Sequence, residues 1–265
     1  MRNCFILGTG RSGTSMVAGT LYGAGYFMGD KLHAPNESNP KGYFESNALG
    51  VLNEDILASM LVSSYGDRLL RRLGLRERMR YPRFNRQLRH LTRWLAMVPV
   101  DREPAITPEL SERMRAYLQR EPYAFKSPIF CYTLSAWRPF LNDTVFICVF
   151  REPEVTVASI QKEVGDRDYL RGISISTDEG FEHWNLMYRH VIEKHRHRGE
   201  WLFLHYNQLL TPEGLDRLEA FVDANIDRSF PEARLKRSRS SEPVPAQTAQ
   251  VYRDLCELAG YDEPS

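Results

Sequence analysis

The sequence predicts an α/β protein, a P-loop-like three-layer fold with a central parallel sheet flanked by helices. Short apolar runs recur at residues 3–7, Ala124-Phe125, Thr144 to Phe150 and Trp201 to Tyr206. They are continuous rather than alternating, as expected of strands covered on both faces. Helical patterns separate them, which is the order of a parallel sheet with crossover helices. The first run, Cys4-Phe5-Ile6-Leu7, passes directly into Gly8-Thr9-Gly10-Arg11-Ser12-Gly13-Thr14-Ser15 and then into a helix. A strand, a glycine-rich turn and a helix N-terminus make an anion cradle, because loop amides and the helix dipole both present positive charge.

The elements follow in order along the chain. Met16, Val17, Thr20, Leu21 and Ala24 share one face of the helix after the loop. Ten arginines crowd Arg68 to Arg93, with leucines at 69, 70, 73 and 75. This stretch is read as part of a helical, Arg-rich insertion at about 60–122 within a single domain spanning 1–265. It is either a solvated basic face or a lid facing an anion. Thr107-Pro108-Glu109 and Thr211-Pro212-Glu213 each place a capping threonine before a proline suited to the first helical position. Phe181, Trp184, Tyr188, Val191 and Ile192 form another helical stripe, on which Trp184 reads as core. Ser238 to Gln247 reads as a loop, and Thr248 to Leu258 as the last helix.

Composition narrows the function classes. The 265 residues include 42% hydrophobic types, enough for a sizeable core, and carry a net charge of +1. That balance implies no bulk attraction to nucleic acid or membrane. No run reaches the roughly 20 apolar residues of a membrane span, and the early first strand is read as leaving no room for a signal peptide. Cys4, Cys131, Cys148 and Cys256 are far apart, with no C-x-x-C pair. They are expected as reduced, mostly buried thiols of a cytoplasmic protein.

The cradle departs from the common P-loop in one informative way. Gly8-x4-Gly13 has P-loop spacing, but Thr14 stands where lysine is expected, and the cation lies inside the loop as Arg11. The strand Val145 to Phe150 ends in Arg151-Glu152-Pro153, with Ser159 eight residues after Arg151. Open parallel sheets bind ligands at such carboxyl ends. An arginine fork and a serine hydroxyl there suit a phosphate monoester. A kinase would use a strand-end aspartate and Mg²⁺, whereas the corresponding strand here ends in a cation. A dinucleotide fingerprint also fits Gly8, Gly10 and Gly13 with Asp30 as the acidic partner, but it leaves Arg11, Arg151 and Ser159 unexplained. No histidine pair has zinc-ligand spacing with a carboxylate, so no metal is expected.

Taken together, these motifs resemble the sulfotransferases that use 3′-phosphoadenosine 5′-phosphosulfate (PAPS). Further likenesses are Asn39-Pro40-Lys41-Gly42-Tyr43-Phe44-Glu45, Lys126-Ser127-Pro128 and Leu204-His205-Tyr206-Asn207. Arg11 in the loop, and Ser127-Pro128 after the lysine, are similar to the arginine-loop branch, which includes tyrosylprotein and many bacterial enzymes. The resemblance implies that Gly10, Arg11, Ser12, Gly13, Thr14 and Ser15 hold the 5′-phosphosulfate. It implies that Arg151 and Ser159 hold the 3′-phosphate, and that Tyr206 lies near the adenine. Glu45 is then the general base, with His33 as runner-up, while Arg11 and Lys126 stabilise the transferring sulfuryl group and the leaving phosphate. Arg237 and Arg239 are candidates for a basic loop over the 3′-phosphate.

The implied activity is metal-independent sulfuryl transfer from PAPS to a hydroxyl, or to an amine, leaving adenosine 3′,5′-bisphosphate. The acceptor is a small molecule, a glycan or a peptide, and the arginine-rich stretch hints at an anionic one. The alternatives are a P-loop small-molecule kinase and a non-catalytic nucleotide-binding protein. Each selected residue also has a plainer role: an ion-pairing loop glutamate for Glu45, a strand-end cation for Lys126 or Arg151, helix capping for Ser12 to Ser15, and a core tyrosine for Tyr206.

Overall fold

The computed structural model describes residues 1–37, 39–61, 84–232 and 240–262. Its strands are β1 (Asn3–Leu7), β2 (Ala124–Lys126), β3 (Thr144–Phe150) and β4 (Trp201–His205), in one sheet of order β2-β1-β3-β4. All three pairings are parallel, with Ile6 between Lys126 and Ile147, and Phe150 beside His205. Two ends differ from the sequence expectation: β2 extends to Lys126, and Tyr206 falls just past β4. The Tyr206 amide still donates to the Phe150 carbonyl at 2.8 Å.

The helices are α1 (Thr14–Gly23), α2 (Asn47–Leu61), α3 (Pro108–Tyr117), α4 (Phe130–Trp137), α5 (Pro153–Asp166), α6 (Thr177–Arg189), α7 (Pro212–Val222) and α8 (Ala246–Ala259). Side chains alternate across the sheet as the strand repeat requires. Phe5, Leu7, Phe125, Phe146, Cys148, Phe150 and Phe203 point into an aromatic core shared with α2, α4, α6 and α8. Cys4, Ile6, Val145, Ile147, Val149 and Leu204 point the other way, onto α1 and α7. The result is the expected three layers. Among the described residues, no helix is long and apolar enough to cross a membrane.

Local sequence explains the helix starts. Thr107 and Thr211 cap α3 and α7, accepting from the amides of Leu110 and Gly214 at 3.2 and 3.1 Å. Ser176 and Glu179 form a reciprocal capping box at α6 that the sequence reading missed. The last helix begins earlier than expected. Ala246 and Gln247, assigned to a loop, are helical, because Pro245 sits at the boundary with the fixed φ that suits a helix start. Arg68, Arg71, Arg72, Arg76, Arg78, Arg80 and Arg83 lie outside the described residues, as do Arg237 and Arg239. Beyond them Phe84, Leu88, Leu95, Ala96, Met97 and Val98 are buried in the aromatic core. Cys4, Cys131 and Cys148 are buried and Cys256 is half-buried, all as free thiols, and burial pushes the Cys131 thiol up to about 12.

Three buried histidines tie this returning segment to the core. His183 on α6 contacts the Ala96 carbonyl at 3.2 Å, and His190 contacts the Val98 carbonyl at 3.0 Å. His195, in the π-helical extension His190–His195, contacts the Cys131 carbonyl at 3.1 Å. Each imidazole must donate to its carbonyl. Burial lowers the pKa of His183 and His190 to about 4, and of His195 to about 3. Below the unfolded-state value near 6.5 the unfolded chain gains protons that the folded chain refuses, so stability falls with pH by up to about 1.4 kcal/mol per unit for each imidazole. Urea unfolding between neutral pH and pH ~4 is expected to show the midpoint falling through this window. His183→Gln, which keeps a donor without the titration, is expected to reduce the slope.

Candidate active site

The strand order sets the site. Lys126 at the end of β2, the loop after β1, Arg151 after β3 and Tyr206 after β4 line one carboxyl edge, in that sequence across the sheet. At strand spacing the row spans about 14 Å. The loop itself is tightly folded. Gly13 has φ +102°, and a Cβ there would lie 2.7 Å from the Tyr206 ring. Arg11 has φ +70°, a left-handed conformation that costs an L-residue roughly 1 kcal/mol and persists only where its surroundings hold it.

The loop is braced from below. Thr9 N–H donates to the Tyr188 hydroxyl at 3.2 Å, and that hydroxyl donates to the Val149 carbonyl at 2.8 Å. The buried Ser12 hydroxyl donates to the Thr9 carbonyl at 2.7 Å, and the Ser12 amide reaches the same oxygen at 3.3 Å. From above, Trp94 lies on the loop, since a Cβ at Gly10 would sit 2.6 Å from its ring. Gly13 has no side chain with which to cap α1, and the first turn of α1 holds no acidic residue. The first-turn amides of Thr14 and Ser15 therefore lie at an N-terminus whose dipole favours an anion.

At one end of the row, Lys126 is only 3% exposed. Its Nζ donates to Glu45 and, at 3.3 Å, to the Ser15 hydroxyl. Burial lowers the Lys126 pKa, the Glu45 carboxylate opposes that shift, and Arg11 adds to it. The backbone around Glu45 is tied down through its carbonyl, which accepts from the His33 amide at 2.8 Å. At the other end, the Arg151 guanidinium carbon lies 4.6 Å from the Tyr206 ring centroid, and its Nε is 3.4 Å from the Glu152 carboxylate. Burial raises the Tyr206 phenol pKa, partly offset by Arg151.

Between these ends, Arg11 Nε donates to the Ser159 hydroxyl at 3.1 Å. Arg11 Nη1 lies 3.8 Å from the buried Glu163 carboxylate, whose other oxygen is 3.9 Å from Arg167 Nε. Arg167 in turn reaches Glu37 at 3.4 Å. Tyr43 and Tyr169 border this cluster. Burial raises both phenol pKa values, and the Glu163 carboxylate is the next contributor in each case.

Among the residues singled out from sequence, three clusters form: Glu45 with Lys126 and Ser15, Arg11 with Ser159, and Arg151 with Tyr206 and Gly13. Arg151 and Ser159 make separate contacts, with Glu152 and with Arg11 respectively. Trp184 lies in the aromatic core. Sequence reasoning missed Trp94, Tyr188 and Glu163. Glu163 alone left a signal, since it follows Ser159 by four residues on a helix. Among the described residues, no group of three or more His, Cys, Asp or Glu side chains is arranged to hold a metal ion.

No protein-family model matches the chain, and no curated protein matches it. Its fold is similar to that of the sulfotransferase domain from the curacin biosynthetic pathway, with a TM-score of 0.50 and 12% identity over 100% of this chain and 99% of that one. The sulfotransferase STF9 of Mycobacterium avium gives a TM-score of 0.45 and 15% identity over 98% of this chain and 69% of that one. The chain has the fold of a sulfotransferase domain.

The buried lysine makes the first contact testable. Glu45→Ala leaves Lys126 buried without its carboxylate and is expected to lower the unfolding free energy by about 3 kcal/mol. Adding Lys126→Met in the same chain is expected to restore most of it, as measured by urea unfolding at neutral pH.

Proposed function

We propose that this chain, as one domain over residues 1–265, is a sulfotransferase that moves the sulfuryl group of PAPS to a hydroxyl on a small molecule, glycan or peptide in the cytoplasm. The observation that carries the proposal is the row of donors along the carboxyl edge, with two separate cationic centres. Arg11, Lys126 and the start of α1 form one, and Arg151 forms the other. PAPS is anionic at two separate places, its 5′-phosphosulfate and its 3′-phosphate. The donor set fits both, because cations and hydroxyls gather at each centre, with Glu45, Glu163 and Glu152 paired to the cations.

In this proposal the amides of Gly10, Gly13, Thr14 and Ser15 and the hydroxyls of Thr14 and Ser15 seat the 5′ side at the helix N-terminus, while Ser12, with its hydroxyl and amide on the Thr9 carbonyl, shapes the loop that holds it. Arg151 holds the 3′-phosphate as a charge-assisted fork. The Ser159 oxygen already accepts from Arg11 and keeps its own proton to donate there. Tyr206, against Gly13 and under Arg151, offers its ring edge to the adenine. The bound donor supplies a sulfuryl group whose S–O bond to the 5′-phosphate breaks as a bond to the acceptor oxygen forms.

Glu45 accepts the acceptor's hydroxyl proton on a carboxylate oxygen. Lys126, in contact with Glu45 and Ser15, faces the charge that develops on the leaving phosphate, and Arg11 faces the sulfuryl oxygens. These groups are fixed before reaction, so positioning and electrostatics supply the catalysis. No step calls for a divalent ion.

Thermal unfolding with adenosine 3′,5′-bisphosphate in the presence of a chelator tests the donor. A concentration-dependent rise in Tm is expected, whereas a rise only with Mg-ATP would favour a kinase. Arg151→Ala is expected to weaken adenosine 3′,5′-bisphosphate by roughly 10- to 100-fold while leaving adenosine 5′-phosphate nearly unaffected, read by calorimetry. With PAPS and an acceptor panel, Lys126→Ala and Glu45→Gln are each expected to lower kcat by about 10²–10³.

A further inference from the structure

Glu163 is hard to place in an anion-binding site on simple grounds. It is a carboxylate, 5% exposed, on the helix that borders the cradle. Its charge opposes any anionic ligand and so weakens ground-state binding. Its neighbours give it another use. Ser159 and Glu163 stand four residues apart, on one face of α5. Ser159 takes the Nε–H of Arg11 at 3.1 Å, and Glu163 faces Nη1 of the same guanidinium at 3.8 Å. A planar guanidinium met at Nε by a hydroxyl and at one Nη by a carboxylate is constrained in plane and direction. The Arg11 backbone is itself in the left-handed region, so loop and side chain are constrained together. Arg167, on the second Glu163 oxygen at 3.9 Å, keeps the carboxylate flanked by two cations.

We infer that Glu163 is a positioning residue, which with Ser159 holds the Arg11 guanidinium in the orientation that sulfuryl transfer requires, at a cost in affinity for the anionic nucleotide. The inference rests on the sulfuryl-transfer reading of this site and adds to it a residue that touches neither donor nor acceptor. An interaction that weakens the ground state and aids the transition state raises kcat rather than lowering KM.

The test compares wild type with Glu163→Gln and Glu163→Asp. Glu163→Gln is expected to bind adenosine 3′,5′-bisphosphate as tightly as wild type or more tightly. Its kcat with PAPS is expected to fall roughly 10- to 100-fold. Glu163→Asp keeps the charge on a shorter stem and is expected to recover part of kcat. A second readout needs no nucleotide. The Arg11 Nε–H resonance, assigned by its loss in Arg11→Lys, is expected to be sharp and slow to exchange in wild type, and to shift and broaden in Glu163→Gln.

The inference is overturned if Glu163→Gln retains wild-type kcat and an unchanged Arg11 resonance. It is also overturned if nucleotide binding, kcat and Tm all fall together, as a merely structural carboxylate would cause. If Glu163→Gln does not fold, Glu163→Asp decides in the same way. Failure of wild type to bind adenosine 3′,5′-bisphosphate overturns the functional reading instead, and the Arg11 resonance still decides whether Glu163 holds that side chain.

Discussion

The site depends on how closely the chain passes itself where β1 ends. Gly8 has φ +140°, and a Cβ there would lie 2.1 Å from the Val149 carbonyl oxygen on β3. Only glycine lets the loop leave the sheet at this point. That approach follows from the parallel register, which places Leu7 beside Cys148 and so brings Gly8 up to Val149. Because β1 lies between β2 and β3, the loop emerges with Lys126 on one side and Arg151 on the other. The Tyr188 hydroxyl, joined to both Thr9 and Val149, fixes the same junction from the core side.

Charge along this edge is balanced pair by pair. Lys126 has Glu45, Arg11 has Glu163, and Arg151 has Glu152. Three cations converging without carboxylates would repel one another and destabilise the fold. Pairing lets the edge remain cationic in its donors while carrying little net charge. Under the proposed function, an incoming anion would exchange partners instead of neutralising a bare cluster. The pairs differ in what else they hold. Lys126 is buried and also holds Ser15, whereas Arg11 meets Ser159 as well as Glu163. The carboxylates therefore act on the donors' orientation as well as on their charge.

The sheet was largely legible in the sequence because its strands are short, continuous apolar runs between glycine and proline signals, and such runs have few other uses. The threonine–proline helix starts were legible for a similar reason: one residue caps and the next fits only the first turn. The start of α8 was not, because Ala246 and Gln247 carry no boundary signal and Pro245 reads equally as loop. Arg11, Lys126 and Arg151 could be found from their positions at strand ends. Trp94 and Tyr188 could not, since they reach the loop from a returning segment and a helix far away in the chain, and Glu163 left only its i+4 spacing from Ser159. Tyr188 sits in an apolar stripe and reads as core, which it also is. Only its hydroxyl, at the tip, serves the loop.

The returning segment explains why buried histidines matter to a site that contains none of them. Trp94 covers Gly10, and two residues later the Ala96 carbonyl meets His183, with the Val98 carbonyl meeting His190. Both histidines belong to the same helical stretch as Tyr188, which supports Thr9 from beneath. One helix therefore holds the loop from below through a phenol and holds its cover through imidazoles. Neutral imidazoles can donate to those carbonyls while bearing no charge in an apolar core, which lysine or arginine could not do at comparable cost. The loop after β1 is thus clamped on both sides by a single helical stretch whose polar tips are spent on backbone groups.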